Sequence, residues 1–397
     1  MKIESIRLKN FKVFRDINLR DIPAFMVVVG ANGSGKTTLF DVFGFLHDCL
    51  KGTVRQALDK RGRFREVLSR DANPATDRIL IEMQYRMLIA DAERLVTYSL
   101  EIGEHNNAPI VYREFLRYKR GRYGSPFHFL DFKKGEGYAI INEEDFNKTD
   151  EELERETQKV TPDSLAIKGL GQFERFKAAN AFRQLIESWH VSDFHISAAR
   201  GRKEVAGSSE HLSETGDNLP RVVQYLYEHH PKTFQKILRT MTRRVPGIAS
   251  VEPLLMEDGY LTLRFQDGSF KTPFLDRYVS DGTIKMFAYL VLLHDPKPHP
   301  LLCVEEPENQ LYPRLMAELA EEFRLYANRG GQVLVSTHSP DFLNAVNLEE
   351  VYWLIKRNGY AEIRRARDDA QIVRYMIDGD QMGYLWKQGF FEGVDPE

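Results

Sequence analysis

Apolar and polar residues alternate with period two through "KIESIRLKNFKVFRDINLRDI", residues 2–22, interrupted only at "KN" and "RD". That pattern predicts antiparallel strands. The apolar run at residues 27–29 reads as a further strand, which stops in the loop "GANGSGKT", residues 30–37, and gives way to helical spacing in "KTTLFDVFGFLHDCL". From about residue 78 to 141 strand patterns return in series, which predicts a β-meander. Residues 142–160 are charged and carry no apolar stripe, so a solvated helix or mobile insertion is expected there. "FERFKAANAFRQLIESW" and "NLPRVVQYLYEHHPKTFQKILRTMTRRV" read as helices, and "VEPLLMEDGYLTLRFQDGSFKTPF" as a hairpin with "EDG" and "QDG" turns. The chain then divides into residues 1–141 (N-terminal lobe with the glycine loop and the meander), 142–250 (mostly helical insertion) and 251–397 (C-terminal lobe). No internal repeat and no sustained heptad is evident, so no long coiled coil is expected.

Composition narrows the partners. Lys plus Arg number 55 against 58 Asp plus Glu, so any nucleic-acid surface has to be a local patch. The best such patch is "VYREFLRYKRGRYG", residues 111–124, where arginines interleave with aromatic residues; "KRGRFRE", residues 60–66, is a second. A hairpin with its aromatics turned to the core and its arginines to water or an acidic partner is the plainer reading of the first patch, and the second carries the same ambiguity. Cys49 and Cys303 lie far apart in apolar contexts, which fits a reducing compartment and offers no disulfide framework. No apolar run approaches a membrane span and the start does not resemble a signal peptide, so a cytoplasmic protein without membrane contact is expected.

The loop carries the chemistry. Gly30, Gly35, Lys36 and Thr37 fit G-x-x-x-x-G-K-[ST] between a strand and a helix, the context in which backbone N–H groups cradle phosphates. Lys36 reaches the β- and γ-phosphates in such a loop, and the Thr37 hydroxyl holds Mg²⁺. Three more segments answer to it. "PLLCVEEPENQLYP" is a buried-strand pattern ending in Glu305 and Glu306, one acid for the metal and one for the attacking water. "VLVSTHSPDFL" delivers His338 at a strand tip. "YVSDGTIKMFAYLVLL" places Ser280, Asp281 and Gly282 ahead of an apolar helix, a second N-terminus suited to an anion. His229 and His230 fall at a helix end, where capping is the plain reading, and Asp378 and Asp380 read as a turn.

At these residues the sequence resembles the ABC-type ATPase superfamily, in its RecF/SMC/OLD-like (AAA_21-like) soluble branch. "GANGSGKTT" has the Asn32-Gly33 of that branch, "VSDGT" looks like its signature, "VEEPEN" like Walker B, "ENQLYP" like its D-loop and "STHSP" like its H-loop. The order and spacing agree: Ser280 of the signature lies 25 residues before Glu305, and His338 lies 32 after Glu306. The resemblance implies an α/β P-loop NTPase with an ABC-ATPase-like head, a mixed sheet plus an antiparallel β-meander and a helical insertion. It implies ATP and Mg²⁺ as cofactors, bound by Gly30, Asn32, Gly33, Ser34, Gly35, Lys36, Thr37 and Thr38, with Thr37 and Glu305 at the metal. Glu306 is then the general base and His338 the γ-phosphate switch. The usual first Walker B acid is Asp, and this chain has Glu305. The Q-loop glutamine, a further nucleotide and metal ligand, is expected at Gln172, with Gln84 read as an outward strand residue. In this family one subunit's signature caps the phosphate held by another, so Ser280, Asp281 and Gly282 imply a homodimer or higher homo-oligomer with ATP at the seam.

Short-armed relatives serve DNA repair or prokaryotic anti-phage defence and toxin systems. The stretch after "STHSP" is short for the TOPRIM nuclease many of the latter carry, so a separately encoded effector, a nuclease or toxin, is expected, with DNA as a further candidate partner. The alternatives are a RecF-like repair ATPase and an ATP-binding scaffold that holds its effector with little turnover.

Overall fold

The computed structural model describes all residues except 1, 90–91, 121–124, 144, 146–147, 150–151, 193, 195, 201–202, 205–208 and 393–397. Strands β1 (Lys2–Phe11) and β2 (Phe14–Arg20) form the expected hairpin. β3 (Phe25–Gly30) is buried along its whole length, as a central parallel strand is, and runs through the glycine loop into helix α1 (Lys36–Lys51). Short helices α2 (Val54–Asp59) and α3 (Phe64–Val67) follow. The meander is β4 (Ile79–Ile89), β5 (Ala92–His105), β6 (Ala108–Tyr118), β7 (Phe127–Lys133) and β8 (Glu136–Ile140), antiparallel throughout.

The charged stretch corrects the expectation of a solvated helix or mobile insertion. Residues Arg155–Lys159 form β9, which pairs with β8 and extends the sheet to eight strands in the order β2-β1-β4-β5-β6-β7-β8-β9. An edge strand needs no apolar stripe when both its faces meet water at least in part. Glu143, upstream of it, is buried, accepting from the Tyr118 hydroxyl at 2.6 Å and the Ala178 N–H at 3.0 Å.

Helices α4 (Ala166–Leu170) and α5 (Lys177–Glu187) lead to β10 (His190–Ser192), α6 (Ile196–Ala199) and β11 (Lys203–Glu204). Then come α7 (Leu219–His229), α8 (Pro231–Arg244) and strands β12 (Ile248–Leu255), β13 (Tyr260–Asp267) and β14 (Phe274–Leu275). Helix α9 (Asp281–Leu293) is buried from Ile284 onward, and feeds β15 (Leu301–Glu305). The chain closes with α10 (Leu315–Asn328), β16 (Gln332–Ser336), α11 (Pro340–Leu343), β17 (Val351–Arg357), β18 (Tyr360–Arg365), α12 (Ala370–Ile377) and α13 (Met382–Lys387).

A second sheet, ordered β10-β15-β16-β3-β17-β18, is parallel except for β18. It draws β3 from the first expected segment, β10 from the second and β15 to β18 from the third. Alternate residues of its strands face two cores: Met26 and Val28 join Cys303 and Leu334 on one side, while Val27 and Val29 join Val304 and Val335 on the other. The first core is closed by α1, α5 and the meander; the second by α9, α10 and the C-terminal helices. Parallel pairing brings the C-terminal ends of β3, β15 and β16 to one edge, where Glu305 pairs with Ser336 and Ser336 with Val28. That edge is where ligands bind in open α/β sheets. Among the described residues no helix is long and apolar enough to cross a membrane.

Candidate functional site

The phosphate loop hands over to α1 at Gly35, whose φ of 110° is a left-handed conformation that a side chain tolerates poorly. No side chain caps the helix there, so the first N–H groups of α1 stay available to an anion. Ser34 Oγ is buried in the loop with no hydrogen-bond partner, an orphaned polar atom where a phosphate oxygen belongs. Lys36 is only 6% exposed and donates to Gly30 O at 2.8 Å and Ala31 O at 3.1 Å, carbonyls that stand where phosphate oxygens would. Burial lowers its pKa, against the pull of Glu306, Glu305 and Glu308. Asn32 and Gly33 are exposed at the tip, and Thr38 is half-buried one residue beyond Thr37. The loop fits a nucleotide triphosphate.

Glu305 ends β15, and its Oε2 accepts from the Thr37 hydroxyl at 2.7 Å. The longer acid therefore reaches the loop directly, and a hydroxyl beside a carboxylate is an oxygen pair suited to Mg²⁺. Strand alternation would turn Glu306 to the opposite face. A φ of 43° at Glu306 breaks that alternation, while its N–H still donates to Ser336 O at 2.9 Å. Both acids consequently stay at the nucleotide edge, and the strained backbone is of the kind held in place at functional sites. Glu306 Oε1 lies 3.1 Å from His338 Nε2, and Oε2 accepts from Asn309 Nδ2 at 3.0 Å. Burial, then the nearby Lys36 charge, lowers the His338 pKa, which favours the neutral imidazole.

Two residues of this constellation escape a reading of motifs. Glu308 Oε1 accepts from the Thr337 hydroxyl and from the His338 N–H, both at 2.7 Å, and so ties the Walker B turn to the histidine strand. Lys285, in α9, is buried and donates to Asn309 O at 2.8 Å. Burial brings its pKa down to about 8. The signal for Lys285 was present, a lone cation in the apolar run "IKMFAYLVLL".

The signature residues form the start of α9. Ser280 caps it, accepting from the Thr283 N–H at 3.3 Å, and Arg200 holds Asp281 and the Val279 carbonyl. A Cβ on Gly282 would stand 2.7 Å from Gln310 O, so only glycine lets α9 approach the D-loop this closely. Ser280 and Gly282 line a groove of about 880 Å³ together with Arg243, Gln310, Tyr312 and Arg314. Ser280, Asp281 and Tyr312 are exposed on it.

Gln172 is a correction. It sits in the turn after α4, exposed, its amide donating to Lys168 O, while Lys168 itself donates to the carbonyls of Lys51 and Gly52 at the C-terminal end of α1. α1 is 16 residues long, and at about 1.5 Å per residue that end is roughly 24 Å from Lys36. Gln172 therefore cannot serve the phosphates or a metal beside them. β10 is the strand beside β15 and parallel to it, and its last residue, Ser192, pairs with Val304, next to Glu305.

The basic segments are engaged internally. Arg113 pairs with Asp131 at 2.8 Å, Phe115 stacks on His128, and Tyr118 is buried; residues 121–124 of that patch lie outside the described residues. Arg61 pairs with both Asp41 and Asp48. His229 ends α7 with its ring against Tyr225, and Asp378 caps α12.

Comparison with solved structures finds SMC heads. The chain is similar to an SMC head bound to the C-winged helix domain of ScpA, with a TM-score of 0.54 and 14% identity over 92% of this chain and 97% of that one. It also matches an SMC head domain from Thermotoga maritima (TM-score 0.45, 13% identity, 92% and 99% covered). A third match is an Smc head domain with an extended coiled coil, bound to the C-terminal domain of ScpA derived from Pyrococcus furiosus (TM-score 0.49, 14% identity, 94% and 99% covered). At such identity the first likeness is one of fold, that of an SMC head. No curated protein matches the chain. The sequence profile of one family covers residues 25–344, from the phosphate-loop strand to past His338, and the chain therefore belongs to that family, the P-loop ATPases described as "AAA domain, putative AbiEii toxin, Type IV TA system".

Proposed function

We propose that the chain is a Mg²⁺-dependent ATP hydrolase whose ATP-bound copies pair head to head, and that this pairing gates a separately encoded effector, a nuclease or toxin, in prokaryotic anti-phage defence. The observation that carries it is a division of the site. Lys36, Thr37, Glu305, Glu306 and His338 meet at one sheet edge, with Thr37 on Glu305 and His338 beside Glu306, whereas Ser280 and Asp281 stand exposed at a helix N-terminus. A second copy's phosphate suits the first N–H groups of this exposed N-terminus, of which the Ser280 side chain takes that of Thr283.

In this reading Lys36 exchanges the Gly30 and Ala31 carbonyls for the β- and γ-phosphates, and the free N–H groups of α1 hold phosphate oxygens. Thr37 and Glu305 hold Mg²⁺, which when bound neutralises phosphate charge. Glu306 takes the proton of the attacking water, and neutral His338 directs Nε2 at the γ-phosphate. Glu308 and Lys285 keep the Walker B turn, the histidine and the signature helix in one register. The toxin description of the family and the internal pairing of Arg61 and Arg113 favour a protein effector over DNA as the gated partner.

ATPase rate per chain against protein concentration, with and without double-stranded DNA, tests the proposal. A rate per chain that rises with concentration and ignores DNA supports it; a DNA-stimulated rate shifts the partner to nucleic acid, as in a repair ATPase. A negligible rate at every concentration turns the reading to a scaffold.

A further inference from the structure

The edge of the second sheet away from the nucleotide gathers imidazoles from distant parts of the chain. Asp295 lies just past α9, His299 just before β15, His190 opens β10, and His211 precedes α7. β15 has five residues, so Glu305 at its other end is about 16 Å away at roughly 3.3 Å per residue. Ligand-capable atoms of His211, Asp295 and His299 all lie within 4.8 Å of one another.

We propose that His211, Asp295 and His299 form a transition-metal site, suited to Zn²⁺, that clasps the segment before α7 to the junction of α9 and β15. Four features carry it. His299 Nδ1 faces Ser188 O at 3.0 Å, which makes Nδ1 the donor and leaves the lone pair on Nε2; that Nε2 is buried and has no hydrogen-bond partner among the described residues. A ligating histidine is held this way, its other N–H on a backbone carbonyl. His190 is 4% exposed, its Nε2 also lacks a partner, and its ring lies 4.9 Å from that of His299. The orphaned Nε2 of His299, with ligand atoms of Asp295 and His211 within 4.8 Å, is unusual unless something else belongs there.

Asp295 is oriented for the same role. Its Oδ1 accepts from the Lys297 N–H at 2.8 Å, and its Oδ2 lies 2.6 Å from His211 Nδ1. The proton between that pair stands where a cation would stand. Metal–donor bonds of about 2.0–2.1 Å in a tetrahedron set donors roughly 3.3 Å apart, so loading the ion opens this contact and clears Nδ1 of its proton, which passes to Nε2 of a neutral ring or to solvent from an imidazolium. Two nitrogens and one oxygen suit Zn²⁺ and not Mg²⁺ or Ca²⁺, which take oxygen ligands. The His211 side chain is 40% exposed and gives the ion a way in from solvent, with water in the fourth position. The inference is independent of the ATPase reading: it concerns the opposite end of α9 and β15.

The full chain, stripped with a chelator and dialysed, is titrated with Zn²⁺ by calorimetry and with Co²⁺ by visible absorption. One ion per chain is expected, with tetrahedral Co²⁺ bands and a raised melting temperature. His211→Gln and Asp295→Asn should each weaken binding about ten-fold or more, with circular dichroism unchanged for His211→Gln because that side chain is partly in solvent. Glu306→Gln/His338→Ala should bind the ion as the wild type does. No binding by the stripped chain would overturn the proposal. So would binding that survives His211→Gln and Asp295→Asn, or that disappears with Glu306→Gln/His338→Ala.

Discussion

Glu306 holds a backbone conformation that costs energy outside glycine, and it faces His338 on one oxygen and Asn309 on the other. Replacing the carboxylate by an amide keeps the shape and removes the base, so Glu306→Gln should cut ATP turnover by about 10²–10⁴-fold while ATP affinity stays near that of the wild type. Single-turnover kinetics beside nucleotide binding check it. Glu308→Ala should lower kcat with little change in KM, because it frees Thr337 and His338 without touching the loop. Lys285 makes a pH prediction. Burial places its folded pKa at about 8 against 10.5 when solvated, so the unfolded chain binds the extra proton between those values and stability rises with pH across that window. Relative to Lys285→Met, the wild type should therefore gain up to about 3 kcal/mol between pH 8 and pH 10.5 in paired denaturant titrations. A difference that stays flat or falls would refute the buried cation.

At the scale of elements, the loop and its answering strands were legible because each motif places its chemistry within a few residues of a strand end. Lys36 and Thr37 follow β3, Glu305 ends β15 and His338 follows β16; parallel pairing does the rest. Glu308 and Lys285 were not legible as a unit, since nothing local says that the Walker B turn rests on the histidine strand and on α9. Gln172 failed for a related reason: its position in the chain resembles that of a Q-loop, but α1 carries the α4 turn to its far end. Gln172→Ala should leave ATPase activity unchanged. The stretch 142–160 failed because an edge strand of alternating polar residues lacks the apolar signal of an inner one. Gly282 is where α9 meets the D-loop, and Gly282→Ala should lower turnover while leaving nucleotide binding intact, by pushing the Gln310 carbonyl away. Arg61, only 11% exposed at its side chain, braces α1 to α2 through Asp41, Asp48 and Ala57 O. Arg61→Ala takes one partner from each acid, leaving Asp41 on Lys12 and Asp48 on Lys60, and should cost roughly 2 kcal/mol, read from thermal or denaturant melts.

Across the whole molecule, the second sheet is the common wall of two cores and mounts the nucleotide edge on its parallel strands, while α9 runs beneath it from an exposed signature to the imidazole cluster at the other end. The fold is that of an SMC-type head, and the account of function rests on a second copy completing the site. The mass of Glu306→Gln in solution, measured by light scattering with Mg²⁺ and ATP and then with ADP, tests that most directly. A dimer with ATP that returns to monomer with ADP, and that does not form when Ser280→Arg is added, is the predicted result. A mass that ignores the nucleotide, or a dimer indifferent to Ser280→Arg, would contradict it.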